Sequence, residues 1–427
     1  MIEFAFALLA ALGSLYFLLA KRVFDWSSAA FFSALVYFMP GFAGYTGGER
    51  YKGSSLAATP LEPEATAIMG AVLLAILLSA VLSDSRPRPS DSPPVTLKGI
   101  QYLPHVLLAV SLFCCIVTFA TAGQGIYSSN KYVLTAAYSG RWFLGWQTGA
   151  VLGTVVAYSA RRWGTFILGV LLCLLTLFMA IRMCAALAAI GVFVCKLSSR
   201  GRRPLLSRKN GRLAVAIVLF GLFMFGYKSV IAKVKALDLE RVGSTISAQG
   251  FLESSLVNSE PFATQHVLNL VVRNRFQVGY GHFWEVLWAA VRNPFTQRGG
   301  DETIRVSFND KFQPALLGDI ESGMASNIWA ELWSAGGWLL LVGGLGIFVY
   351  VNHRGSRLML RSPPLLKGVV ASVSGYWVFY MHRNDVYRML SYAKQIGLLL
   401  IAAIVLAKVI RALVAGKHKR RTLPHRP

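Results

Sequence analysis

Residues 164–197 read GTFILGVLLCLLTLFMAIRMCAALAAIGVFVCKL, thirty-four positions whose only charges are Arg182 and Lys196. As one helix this stretch would run about 50 Å at 1.5 Å per residue, too long for a single crossing of a hydrocarbon core of about 30 Å. A hairpin of two short spans with Arg182 at its tip fits the same residues without severe tilt. Further apolar runs near 2–20, 27–46, 65–83, 102–122, 142–159, 212–230, 327–351, 367–381 and 389–411 bring the expected spans to eleven.

Composition agrees with that count. Of 427 residues 55% are hydrophobic and 15% charged, with mean hydropathy +0.52, which leaves too little polar surface for a water-soluble fold. The reading is an all-α polytopic membrane protein, residues 1–427 forming one integral membrane domain. The proline- and serine-rich stretch 84–94 cannot continue a helix and reads as a linker. Glu3 precedes the first apolar run, which ends at Lys21-Arg22 without a basic leader or small-residue cleavage site, so it reads as a retained span. All five cysteines fall inside apolar runs and read as packing residues, with no CxxC pair.

The net charge of +24 raises the question of nucleic acid, but the distribution answers it differently. With the hairpin in place, one face collects 25 of the 43 basic residues against three acids, net +22, while the other holds 18 basic and 16 acidic residues, net +2. The positive-inside rule makes the first face cytoplasmic. The N-terminus is then outside, and the basic tail 412–427 is a cytoplasmic anchor rather than a nucleic-acid arm. Walker A, GxGxxG and HExxH sequences are absent, which removes the parts for ATP hydrolysis, dinucleotide binding and zinc-protease chemistry.

One long polar segment interrupts the apolar runs. Lys228 to Ser326 falls on the non-cytoplasmic side, and two pieces of it have helical periodicity. Over Pro261–Phe276 the apolar residues cover one broad side while His266, Asn269 and Arg273 recur at i, i+3 and i+7. Over His282–Arg292 the apolar side carries Trp284 and Trp288, with His282, Glu285 and Arg292 opposite. Both pieces read as amphipathic helices in the membrane interface, the Trp pair at headgroup level. Six arginines in the loop, among them Arg273 and Arg305, suit bidentate recognition of a diphosphate. Arg182 at the hairpin tip and Glu331 just inside the ninth run are costly in lipid unless they face a cavity or partner. The turn MHRNDVYR brings His382, Arg383, Asp385 and Arg388 to the same outer side. Glu62-x-Glu64 and Asp319-x-Glu321 imitate acidic metal motifs, but carboxylates two apart are common by chance and no metal site is assigned.

From SNIWAELWSAGGW (326–338), followed by the glycine-rich LLLVGGLGIF, the chain resembles the outer-loop end of the Wzy-type polymerases of O-antigen, capsule and exopolysaccharide repeat units. The hairpin FMAIRMCAALAAI is similar to the Ser-Arg hairpin tip of those polymerases and of the related O-antigen ligases, with Ile181 where serine is usual. Ser326-Asn327 stands where ligases carry His-Asn, which favours polymerase over ligase. The resemblance spans residues 164–389. It implies a GT-C-like, cofactor- and metal-independent membrane glycosyltransferase of the bacterial inner membrane. Its substrates would be undecaprenyl-diphosphate-linked oligosaccharides, and its partners a chain-length regulator and a flippase.

For that chemistry the expected diphosphate residues are Arg182, Arg273 and Arg383, with Arg305 behind them. The expected base is Glu331, ahead of His266 and His282, although Glu331 could instead pair with an arginine. Arg182, Glu331 and Arg383 are expected to meet beneath the loop. A ligase, a flippase or transporter and a purely structural membrane protein are the rival readings. The missing internal repeat and the 99-residue loop speak against a transporter.

Overall fold

The computed structural model describes residues 1–21, 23–46, 59–84, 100–123, 140–179, 181–199, 260–292, 306–317 and 326–421, with a few single positions between 204 and 221. Most of the expected span at 212–230, and Arg305, therefore lie outside the described residues, as do Asp319 and Glu321. In chain order the first elements are α1 (Ile2–Leu15, continued by a π-helical turn Tyr16–Ala20), α2 (Trp26–Tyr37), α3 (Met39–Ala43), strands β1 (Tyr45–Thr46) and β2 (Thr59–Pro60), and α4 (Pro63–Asp84). Then come α5 (Leu103–Ala122), α6 (Arg141–Ser159), α7 (Trp163–Phe178) and α8 (Met183–Ser199). The loop contributes α9 (Glu260–Arg273), α10 (Gly279–Arg292) and α11 (Phe308–Leu316), and α12 (Ile328–Arg361), α13 (Pro364–Tyr380) and α14 (Val386–Arg421) complete the described chain.

The protein is an α-helical membrane protein. Among the described residues five helices are long and apolar enough to cross a membrane: Ile2–Ala20, Pro63–Asp84, Ile100–Ala122, Ile328–Arg361 and Val386–Val414. Trp26–Tyr37, Trp163–Leu177 and Met183–Ser199 are shorter apolar helices. The expected run 27–46 is not one helix. It breaks at Phe38 (φ −101°, ψ 16°), restarts at Met39-Pro40 and ends in β1. Twelve residues of helix span only about 18 Å.

The chain divides into two compact units, the first built from residues 1–89, 197–360 and 374–392, the second from 90–196, 361–373 and 393–427. In the second unit α6 is the central helix, buried along most of its length. Gly145, Gly149 and Gly153 form a stripe along α6 facing Cys114, Ser111 and Leu108 of α5, and a Cβ on any of them would come within 3.0 Å of its neighbour. Small residues at four-residue spacing let two membrane helices approach this closely. The hairpin expected at 164–197 is present. Sγ of Cys184 lies 3.3 Å from Sγ of Cys173, whereas eleven residues of continuous helix would hold them about 16 Å apart. All five cysteines are buried, and none is in a disulfide.

In the first unit α1 and α2 pack on α4. At one end Lys21, itself buried, pairs with Asp25 and Asp84, each at 3.1 Å, while the Tyr16 hydroxyl donates to Asp84. Ser27 Oγ meets Ser79 Oγ at 2.9 Å, and a Cβ on Gly355 would collide with Trp26, so the far part of α12 belongs to the same end. Glu62, α9 and the turn before α14 gather around the N-terminal part of α12, as described next.

Candidate functional site

Asn327 starts the helix that carries Glu331. Its Oδ1 accepts the backbone N–H groups of Trp329 (3.0 Å) and Ala330 (3.3 Å), an N-cap that satisfies two of the donors a helix start leaves over. Its amide nitrogen donates to the Thr264 carbonyl at 3.2 Å, fixing α12 to α9. Nine residues on, Gly336 (φ −161°, ψ 25°) and Gly337 (φ 58°, ψ −151°) leave helical geometry, so α12 is two helices joined at a glycine break. The break frees the Ser334 carbonyl, which takes the Val278 N–H at 3.1 Å. Tyr280 lies against Gly336, where a Cβ would come within 2.6 Å of its ring.

The helix α9 is not an interfacial helix. Gln265, His266 and Asn269 are as buried as the apolar side, because α9 packs against α2, α3, α4 and β1. Its polar side is used by the neighbouring chain. Asn269 accepts the Glu62 N–H at 2.7 Å and donates to the Pro60 carbonyl at 2.9 Å, while His266 Nδ1 lies 3.1 Å from Thr46 Oγ1. Burial pushes the His266 imidazole down to about 4. At its C-terminal end Arg275 takes φ 48° and the Phe276 N–H returns to the Val271 carbonyl, a left-handed cap that turns the chain into α10.

The orientation of α10 is the reverse of a solvated amphipathic helix. His282, Val286 and Ala290, at i, i+4 and i+8, are buried, while Trp284 (66% exposed), Trp288 (73%) and Val291 (71%) face out. An apolar outer face with two Trp residues fits lipid headgroups. The inward His282 borders a cleft of 280 Å³ whose other lining residues are Phe276, Gln277, Val278, Glu285 and Lys311. Lys311 comes from α11, whose start is held by the Ser307 N–H and hydroxyl donating to Asp310.

Behind His282 lies Glu331, with no exposed surface. Its Oε1 is 3.6 Å from His282 Nε2, and its Oε2 accepts the Val386 N–H at 2.6 Å. Among the described residues neither ring nitrogen of His282 has a hydrogen-bond partner, nor does Oε1 of Glu331. At 3.6 Å the pair is just beyond a hydrogen bond. Asp385, also buried, caps the same α14 start by accepting the Arg388 N–H at 2.8 Å. Burial pushes its carboxyl up, partly offset by Arg388.

The turn between α13 and α14 is packed in beside this pair. His382 Nδ1 accepts the Trp329 indole N–H at 3.1 Å, its ring lies 5.0 Å from that of Phe38, and burial lowers it to about 3. Arg383 pairs with Glu260 at 2.6 Å and lies over Phe379 and Tyr380. Burial opposes its charge and is the largest single influence, but Glu260 together with Tyr37, Tyr380 and Tyr392 outweighs it and raises the proton affinity.

The structure thus brings Glu331, His282 and the Arg383 turn together in the first unit. Arg273 is more exposed, with Glu62 at 3.9 Å. Arg182 belongs to the second unit, half-buried at the start of α8. The cap Asn327 and the cleft residue Lys311 were not singled out by sequence. An Asn before an apolar run was a readable helix-start signal, whereas Lys311 had none. No protein-family model, curated protein or solved structure matches the chain.

Proposed function

We propose that the chain is a membrane glycosyltransferase that polymerises lipid-diphosphate-linked oligosaccharide repeat units, with the His282 cleft as its acceptor site. The observation that carries this reading is the placement of a cleft-lining imidazole 3.6 Å from a carboxylate without exposed surface. In the reaction the acceptor sugar's hydroxyl oxygen attacks the anomeric carbon of the donor glycan. The bond from that carbon to the phosphate oxygen breaks, and the lipid diphosphate leaves with the electron pair. The hydroxyl proton passes to His282, and Glu331 behind it orients the ring and stabilises the imidazolium. Lack of exposed surface moves Glu331 from base to positioning residue, because a fully buried carboxylate does not reach a sugar. Catalytic hydrogen bonds are often long without substrate, so a 3.6 Å pair can close on binding.

Arg273, exposed at the outer surface, Arg383, Arg182 and Arg305 are the diphosphate residues of the proposal, His266 being held by Thr46 away from this role. The proposal includes eleven spans, a GT-C-like fold, the bacterial inner membrane, an outer N-terminus and inner C-terminus, and partners that set chain length and flip the lipid-linked unit. It is tested by deleting the gene and resolving the surface glycan on a gel. Loss of the ladder with one repeat unit still attached supports polymerase. Loss of all attached glycan points to ligase or flippase, and an unchanged ladder rules out all three.

A further inference from the structure

The acidic pair Glu62-x-Glu64 is left over from the functional reading, and the structure gives its second member specific work. Oε1 of Glu64, at the start of α4, accepts the indole N–H of Trp333 at 3.2 Å and that of Trp338 at 3.1 Å. These two residues flank the Gly336-Gly337 break, Trp333 on the short helix that carries Glu331 and Trp338 at the head of the long helix beyond it. A single acceptor therefore spans the break. On the same break Tyr280 and Val278 anchor α10, which carries His282.

A glycine break is a joint whose angle the backbone itself does not fix, since glycine has no Cβ to restrict it. Something must set the angle if Glu331 and His282 are to keep a separation in the 3–4 Å range. Ladder hydrogen bonds are lost at the break, and the two indole N–H groups converging on one oxygen replace them across it. The burial of Glu331 makes the demand strict. A shift of about 1 Å in the short helix would exceed the margin between the observed pair and a hydrogen bond, and displacements of that size commonly cost a reaction about a hundredfold.

We propose that Glu64 is a positioning residue of this site, a clamp on Trp333 and Trp338 that sets the bend of α12 and with it the approach of Glu331 to His282. The catalytic part of the inference rests on the glycosyltransferase reading, and the geometric part does not. Gln keeps the accepting oxygen and loses the charge, so Glu64→Gln retains the clamp. Glu64→Ala removes it, and Trp333→Phe with Trp338→Phe removes both donors while leaving the carboxylate.

The test uses the full-length protein in nanodiscs, spin-labelled at Trp284→Cys on α10 and Ile347→Cys on the long part of α12, both exposed positions. Turnover is measured on undecaprenyl-diphosphate-linked repeat units extracted from the deletion strain. The expected result is a broadened distance distribution for Glu64→Ala and for the double Phe variant, and a narrow one for Glu64→Gln. Turnover is expected to fall at least tenfold in the first two with KM changed less than threefold, and to stay within threefold of the parent for Glu64→Gln. A Glu64→Gln protein as impaired as Glu64→Ala overturns the clamp, because charge and not the accepted hydrogen bonds would then matter. An unchanged distance in Glu64→Ala overturns it as well, and so does a broadened distance with unchanged turnover. If the parent protein itself turns nothing over, the glycosyltransferase reading fails, and the distance measurement alone still decides whether Glu64 sets the bend.

Discussion

Nε2 of His282 faces Oε1 of Glu331 across 3.6 Å, and among the described residues neither atom has a hydrogen-bond partner, although both are buried. Buried polar atoms without partners are costly, and where they come in a facing pair at a cleft they are best accounted for by a third group that joins them. That relationship yields the first expectation. His282→Ala should lower turnover by about 10² to 10⁴, the range general-base groups supply. Glu331→Gln, which still accepts the Val386 N–H, should fold normally and lose most turnover. Glu331→Ala should in addition cost roughly 1–3 kcal/mol by leaving that donor unpaired. Steady-state kinetics beside thermal unfolding separates the two effects, and full activity in Glu331→Gln would remove Glu331 from the mechanism.

Stability should fall on acidification. His266 and His382 are pushed by burial to about 4 and about 3, below the value near 6.5 of an unfolded histidine. Between those values the unfolded chain binds protons that the folded chain refuses, so the contribution is present above about pH 6.5 and is lost as pH falls towards the folded values. Asp385, raised by burial, acts in the opposite sense. The expected outcome is a lower unfolding temperature at pH 5 than at pH 7, with a smaller difference in His266→Gln.

Gly337 has φ 58° and ψ −151°, a region essentially closed to residues with a Cβ. Gly337→Ala should therefore destabilise the protein by about 1–3 kcal/mol although open space surrounds the position. Gly343, helical and equally open, is the control, and its Ala variant should be neutral or stabilising in the same unfolding assay.

The diphosphate assignment predicts that Arg273→Ala, at an exposed position with only a distant carboxylate beside it, folds normally and loses polymer length. Arg182→Ala should do the same. Normal expression with full-length polymer in both variants would remove these residues from the site.

The proposed topology predicts that a reporter requiring the non-cytoplasmic side is active when fused after Arg298, and activity of a cytoplasmic reporter there would overturn that topology.

Much of the scaffold was legible because lipid makes simple demands. Length and hydropathy located α1, α4 and α5 within a few residues and the starts of α12 and α14 equally well, though both helices run about ten residues further than expected, and Arg182 marked the turn that the Cys173–Cys184 contact confirms. Periodicity failed on α9, where His266 and Asn269 were read as the polar side of a helix lying in the membrane interface. A polar stripe has the same spacing whether water or another segment satisfies it, and here residues near 46 and 62 do so. It failed differently on α10, where both expected sides are split: His282 is buried together with Val286, while Glu285 and Arg292 are exposed together with Trp284 and Trp288. The pairing of Glu331 with His282 was not readable at all. The two lie forty-nine positions apart on separate helices, and no local pattern encodes which of the two loop histidines, His266 or His282, a buried carboxylate will meet.

Oε2 of Glu331 is also the acceptor for Val386, the first residue of a helix that runs to Arg421. If a proton from the reaction reaches that oxygen, it weakens the anchor of a 36-residue rod whose far end lies among basic residues. The carboxylate that faces His282 is thus also the one that fixes the first turn of α14.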